Sequence, residues 1–276
     1  MPAVRISPDL EMFYVEDNYT DPWSQPETVL MLHGLAESHE SWYGWVPHLA
    51  RDFRIIRPDL RGFGKSTPMP EDFPWTMDIV VDDLLTLMTK LGVERFHLVA
   101  AKIGGSVARY LAARFPDRVL SLTVAGTPPP FRDTVQARAV AWGKQIREEG
   151  VEGWARATMG KRLGDGFPDE GTEWWSKLMG RTAASTLLGS VLPIPATDLR
   201  PELPKIKCPT LVIVSDESTV LGDTGVTESW QRQIPNSRLL TMPGNSYHVA
   251  ASQPDACARE TLKFIRAHSK TAPPAR

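Results

Sequence analysis

Cysteine is scarce in this chain. Cys208 and Cys257 are the only two in 276 residues and lie far apart. They build no disulfide framework and match no metal-ligand spacing, so free thiols in a cytoplasmic protein are expected, with no metal site. An excess of one charge is missing too. The 31 Lys and Arg face 33 Asp and Glu, a net −2. That leaves no basic surplus for nucleic acid and no long acidic tail. No apolar run reaches the ~18 residues of a membrane span. The opening Met1-Pro2-Ala3-Val4-Arg5 lacks the apolar core of a signal peptide. Neither nucleic acid nor a membrane is therefore an expected partner. Internal repeats and low-complexity segments are also lacking. What remains is 42% hydrophobic and 23% charged, an ordinary globular balance. The length suits one large α/β domain, or such a domain with an insert.

Strand-length apolar runs alternate with helical patterns. Strands are expected at Thr28–Leu32, Phe53–Arg57, Phe96–Ala101, Val119–Ala125, Thr210–Val214 and Ser237–Met242. Helices are expected over Met77–Leu91, with Gly92 as the stop, over Ile103–Phe115, near Thr227–Ile234 and near 255–268. This alternation specifies the α/β class, a mostly parallel sheet covered on both faces. Ligands of such sheets bind beyond the carboxyl ends of the strands. Residues 129–205 interrupt the alternation with helices and turn-rich joints at Gly164-Asp165-Gly166 and Pro193-Ile194-Pro195. They contain Trp142, Trp154, Trp174 and Trp175 out of nine tryptophans. We read 129–205 as a helical cap over a core made of 1–128 and 206–276, with a small-molecule pocket beneath it. The tail Ser269–Arg276 reads as disordered.

Four motifs sit at the strand ends. His33-Gly34-Leu35 follows the strand at 28–32, with Trp42 farther on. Asp59-Leu60-Arg61-Gly62-Phe63-Gly64-Lys65-Ser66 follows the next strand. Ala101-Lys102-Ile103-Gly104-Gly105 makes a strand, a tight turn and a helix start. Pro243-Gly244-Asn245-Ser246-Tyr247-His248 follows the last strand. In this order the four motifs resemble the α/β-hydrolase fold superfamily, in particular its lid-bearing branch of esterases, C–C bond hydrolases, epoxide hydrolases and cofactor-free haloperoxidases. The resemblance spans 25–268.

The resemblance implies a cofactor-free enzyme and assigns roles position by position. The backbone N–H groups of Leu35 and Ile103 match the two donors of an oxyanion hole, each worth about 2.7–4 kcal/mol toward a developing oxyanion. His248 matches the catalytic histidine. Trp42, Tyr247 and Trp142 are candidate pocket residues, and Glu37 and His39 candidate polar contacts in the loop after His33-Gly34. Asp59 and Arg61 read as structural. A homodimer is compatible with the pattern, which does not fix the oligomeric state.

Two positions depart from the family. Lys102 stands where the nucleophilic serine of G-x-S-x-G belongs. Ser218 stands where the family's acid falls, and Asp216, Glu217 and Asp223 are nearby substitutes. The other strand end that can carry the acid reads Gly126-Thr127-Pro128, without one. An acyl-lysine would be a stable amide, so serine-type acyl transfer is excluded. Burial and the helix N-terminus both lower the pKa of a lysine there. The resulting amine can form a Schiff base with a ketone, or serve as a base, or as ammonium donate a hydrogen bond. His248, with no carboxylate behind it, would stay neutral and assist proton transfer. The expected activity is cleavage next to a carbonyl of an apolar or aromatic substrate, hydrolytic or lytic. Two alternatives stand beside it: a noncatalytic small-molecule binder, and a serine hydrolase in which Gly104-Gly105-Ser106 places Ser106 at the turn.

Overall fold

A computed structural model describes residues 3–131, 133–218 and 224–270. Its strands are β1 (Ala3–Ser7), β2 (Leu10–Asp17), β3 (Thr28–Leu32), β4 (Arg54–Pro58), β5 (Phe96–Ala101), β6 (Val119–Ala125), β7 (Thr210–Ser215) and β8 (Ser237–Met242). They form one sheet in the order β1-β2-β4-β3-β5-β6-β7-β8. The β1–β2 and β2–β4 pairs are antiparallel, and the rest run parallel. Strands β3 and β5 are buried at every residue. Apart from Thr28 and His97 they are apolar throughout, as a parallel strand covered on both faces requires.

The helices are α1 (Val46–Leu49), α2 (Met77–Lys90), α3 (Ile103–Arg114), α4 (Val135–Leu163), α5 (Asp169–Gly180), α6 (Ala184–Ser190), α7 (Pro193–Ala196), α8 (Thr224–Gln231), α9 (Val249–Ser252) and α10 (Pro254–His268). Thr76 caps α2 by accepting from the Ile79 N–H at 3.2 Å. Val80, Val81, Leu84, Leu87 and Met88 form its buried stripe. One core includes this stripe with Leu30, Leu98 and Leu111, and the other includes Trp42, Trp45, Phe53, Val99 and Phe264. Helices α4 to α7 occupy the chain between β6 and β7. Gly150, at φ 75° and ψ 173°, breaks α4 into two segments. Trp154 and Trp175 are fully buried there.

Helix α8 begins three residues before its expected start and ends at Gln231. Pro235 disfavours helical backbone at Ile234, which instead closes a turn on Gln231 O at 2.9 Å. Residues 271–276, most of the tail read as disordered, lie outside the described residues. Among those described, no helix is long and apolar enough to cross a membrane.

Candidate active site

Lys102 is the turn between β5 and α3. Its backbone sits at φ 52° and ψ −126°, a conformation that favours glycine. Holding a side chain there costs on the order of 1–3 kcal/mol. The turn is pinned on both sides: Lys102 N donates to Ala125 O at 3.1 Å, and Thr127 Oγ1 donates to Lys102 O at 3.0 Å. Gly104 lets the helix start approach β3, since a Cβ there would lie 2.4 Å from His33 O. We expect Gly104→Ala to dislocate the turn, read as a loss of several degrees in Tm.

The loop after β3 delivers a carboxylate to this turn. Ala36 has a positive φ of 59°, which reverses the chain after Gly34 and turns Glu37 inward. Glu37 Oε2 accepts from the Gly34 N–H at 3.0 Å, and Oε1 accepts from Lys102 Nζ at 2.6 Å. His248, at the entry to α9, brings Nε2 to 3.1 Å from the same Oε1. That approach is too far off line for a hydrogen bond, and Nδ1 is unpartnered as well. Its backbone N–H donates to Arg162 O at 2.7 Å. The His248 ring packs against Trp175 at 4.9 Å. Lys102, Glu37 and His248 are 2%, 1% and 2% exposed, so no solvent screens the three.

Burial and mutual charge set their protonation. Burial lowers the Lys102 pKa to about 8, and the Glu37 carboxylate keeps it from falling farther. Glu37 is held well below the ordinary carboxylate range, because the Lys102 and His248 charges outweigh the desolvation that pushes it up. Burial, then the Lys102 ammonium, lowers His248 to about 4. At neutral pH the site holds a carboxylate, a neutral imidazole and a lysine of which roughly one in ten is the free amine. The His248 shift has a sign for stability. Between its native value of about 4 and the ordinary 6.5, the unfolded chain binds more protons, so stability falls as pH falls through that window. We expect about 2 kcal/mol lost between pH 7.5 and 5. Urea denaturation at the two pH values, with His248→Gln removing this part of the loss, checks it.

Lys102 opens onto a cavity of about 300 Å³ between the sheet ends and helices α4 and α7. Leu35 and Ile103 line it, and neither backbone N–H donates to an acceptor among the described residues. Tyr247 and Trp142 also line it; Trp42 does not. Trp42 stacks on Trp45 at 5.1 Å in the opposite core, which corrects its expected pocket role: the 3-10 turn His39–Trp42 carries it behind the sheet. Of the possible acid substitutes after β7, Asp216 and Ser218 do not meet His248. Asp216 Oδ1 accepts from Gly244 N at 2.9 Å, and Ser218 is buried without reaching His248 Nδ1. Asp223 lies outside the described residues. The carboxylate that does meet His248 is Glu37. The sequence placed Glu37 in the right loop only as a polar contact; Glu40 follows three residues later, and spacing alone did not tell the two acids apart.

Ser106 lines the cavity but belongs to the interior of α3, where its Oγ accepts from Arg109 Nη2 at 3.3 Å. The turn is at Lys102, so the register that made Ser106 the nucleophile does not hold. Asp59 binds His39 N at 2.6 Å, His39 Nδ1 at 2.8 Å and Lys65 N at 2.8 Å. Arg61 grips Asp83 at 2.7 and 2.8 Å. These contacts brace the loop after β4 and occupy His39 away from the cavity. Among the described residues, no group of three or more His, Cys, Asp or Glu is placed to hold a metal ion.

Comparisons with known proteins agree with this architecture. A family model described as alpha/beta hydrolase fold matches residues 27–252. The chain is 26% identical over 270 residues to a putative non-heme chloroperoxidase of Synechocystis, covering 91% of this chain and 95% of that one. It is 27% identical over 270 residues to a fluoroacetate dehalogenase of Burkholderia, covering 86% of each. Among solved structures it is similar to a thermophilic esterase from Thermogutta terrifontis, with a TM-score of 0.83, 25% identity, and coverage of 94% of this chain and 95% of that one.

Proposed function

The chain belongs to the α/β-hydrolase fold family, and from that premise we propose that it is an enzyme acting at the carbonyl of a small, largely apolar substrate through the amine of Lys102. The observation that carries this is the placement of Nζ. It stands at the turn between β5 and α3, which in this reading is the nucleophile position, lines the cavity, and lies 2.6 Å from a buried carboxylate, with a pKa lowered to about 8. A merely lost serine would require no such partner, and burying an ammonium and a carboxylate costs several kcal/mol per ion before their attraction is counted.

The chemistry follows from the neighbours. The fraction of Lys102 that is free amine at neutral pH starts the reaction, with Glu37 holding Nζ in place. The free amine attacks a ketone carbon, and the carbonyl oxygen gathers charge between the Leu35 and Ile103 N–H groups. Returned protons let that oxygen leave as water, and the carbon stays on nitrogen as an iminium. The bond from the α carbon to its β substituent then breaks, its pair forming an enamine as the C=N pair shifts to nitrogen; the departing carbon leaves as carbon dioxide from a carboxylate, or as a carbonyl once its hydroxyl has given up a proton, and a proton added to the enamine carbon restores the iminium. Water releases the remaining ketone from Lys102. His248, neutral and with both ring nitrogens unbonded, exchanges protons beside Glu37. In this reading helices α4 to α7 act as the cap that keeps water from the iminium, and the setting is cytoplasmic.

Benzoylacetone, an aromatic 1,3-diketone, tests the reading because its condensation with an amine gives a stable vinylogous amide. The expected result is one adduct per chain, less one water, mapped to Lys102 by peptide mass spectrometry and lost in Lys102→Met. Labelling that spreads over surface lysines, or none at Lys102, overturns the amine chemistry and leaves the noncatalytic binder.

A further inference from the structure

The cavity wall opposite in charge to any carboxylate is complete without one. Lys102, Arg138, Lys161 and Arg162 line it, and no Asp or Glu does. Lys102 is neutralised by Glu37. Arg162 has no direct carboxylate partner among the described residues, although the Glu37 charge reaches it. It is 6% exposed, it forms no ion pair or side-chain hydrogen bond among the described residues, and its Nη2 is closed off from solvent. Its guanidinium instead lies 4.7 Å from the Trp154 ring centre and 5.5 Å from that of Trp142. Arg138 reaches the same Trp142 ring at 5.5 Å.

A buried guanidinium with idle donors is expensive for the fold. Stacking on indoles offsets part of that cost and holds the planar fork in one orientation. Such a fork matches a carboxylate bidentately. The wall around it is apolar, with Pro128, Val135, Ile194 and Leu199, which suits an organic body rather than a bare inorganic ion. Arg162 and Lys102 line the same cavity, so one small molecule within it can engage both.

We propose that Arg162 is the anchor for a carboxylate on the substrate, so that the enzyme takes keto acids, or related carbonyl compounds, whose carboxylate is remote from the reacting carbonyl. This rests on the reading of the cavity as the substrate site but not on amine chemistry at Lys102. Arg138 and Lys161, nearer to solvent, add field at the mouth and draw the anion inward.

The test uses two unreactive probes of one shape, 3-phenylpropanoate and 3-phenylpropanamide, titrated calorimetrically at pH 7 into the full chain. We expect the carboxylate to bind at least tenfold more tightly than the amide. Arg162→Met should bring that ratio close to one without lowering the Tm of the ligand-free protein, because the variant removes an unpaired buried charge. Arg162→Lys, which keeps the charge but not the fork, should give an intermediate ratio. Equal affinities in the native protein, no carboxylate binding at millimolar concentration, or a ratio unchanged in either variant overturns the assignment. Because neither probe reacts with an amine, a failed diketone adduct at Lys102 leaves this result standing, and the reverse holds too.

Discussion

Lys102→Met is expected to abolish the diketone adduct, to lower turnover of a ketone substrate by at least ~10³-fold, and to raise the pKa of His248. The last effect is the most specific. In the native site burial and the Lys102 ammonium together hold His248 at about 4, while Glu37 pulls the other way. Methionine deletes the repulsion and leaves the carboxylate, so the imidazole pKa moves up toward the ordinary 6.5. Titration of the His248 ring signals by NMR reads this directly. A variant that loses the adduct but keeps His248 near 4 would show that the three side chains are not one electrostatic unit. Family geometry alone makes no statement about a lysine here, so the shift separates a built site from a dead serine position.

Glu37→Gln has the second large expected effect, and its sign depends on pH. The amide keeps an oxygen for the Gly34 N–H but no longer compensates the ammonium. Breaking one side of a buried pair costs about 3–5 kcal/mol. Lys102 can escape the cost by losing its proton. Without Glu37, which raises its pKa, the lysine falls further below its present value of about 8. Between that lowered value and the unfolded 10.5, the unfolded chain binds more protons than the folded one. Stability of the variant therefore rises with pH across the window and is lowest below it. Urea titrations at several pH values should show the deficit relative to the native protein shrinking from pH 6 to 9. Activity should fall although more free amine is present, since the carboxylate that positions Nζ at 2.6 Å is gone. A constant deficit at all pH values would mean that Glu37 shapes the loop and does not pair with Lys102.

The central parallel strands were legible because β3 and β5 are buried on both faces, and their mostly apolar runs Thr28–Leu32 and Phe96–Ala101 mark themselves. Strands β1 and β2 carried no such mark. In β1 no residue is fully buried, and β2 sets Glu11 beside Leu10 and Met12, so the pattern is that of a sheet edge and local signals are weak. The strand-end motifs marked the turn at Lys102 and the chain entering α9 at His248, because tight turns carry local sequence signals. Glu37 could not be given its role in the same way. Its inward turn depends on the positive φ of Ala36, a backbone choice that an alanine codon does not announce. Arg162 was invisible for a different reason: its lack of a partner is a property of packing against Trp142 and Trp154, and sequence spacing carries no record of which charges go unpaired.

The most direct test of the central claim is the pH dependence of Lys102 acylation by limiting isotopic acetic anhydride, with each lysine peptide quantified by mass spectrometry. The account predicts an apparent pKa of about 8 for Lys102, against ~10.4 for exposed lysines in the same digest, and a further fall in Glu37→Gln. An apparent pKa at the ordinary value, unchanged in that variant, would contradict a poised amine at the turn.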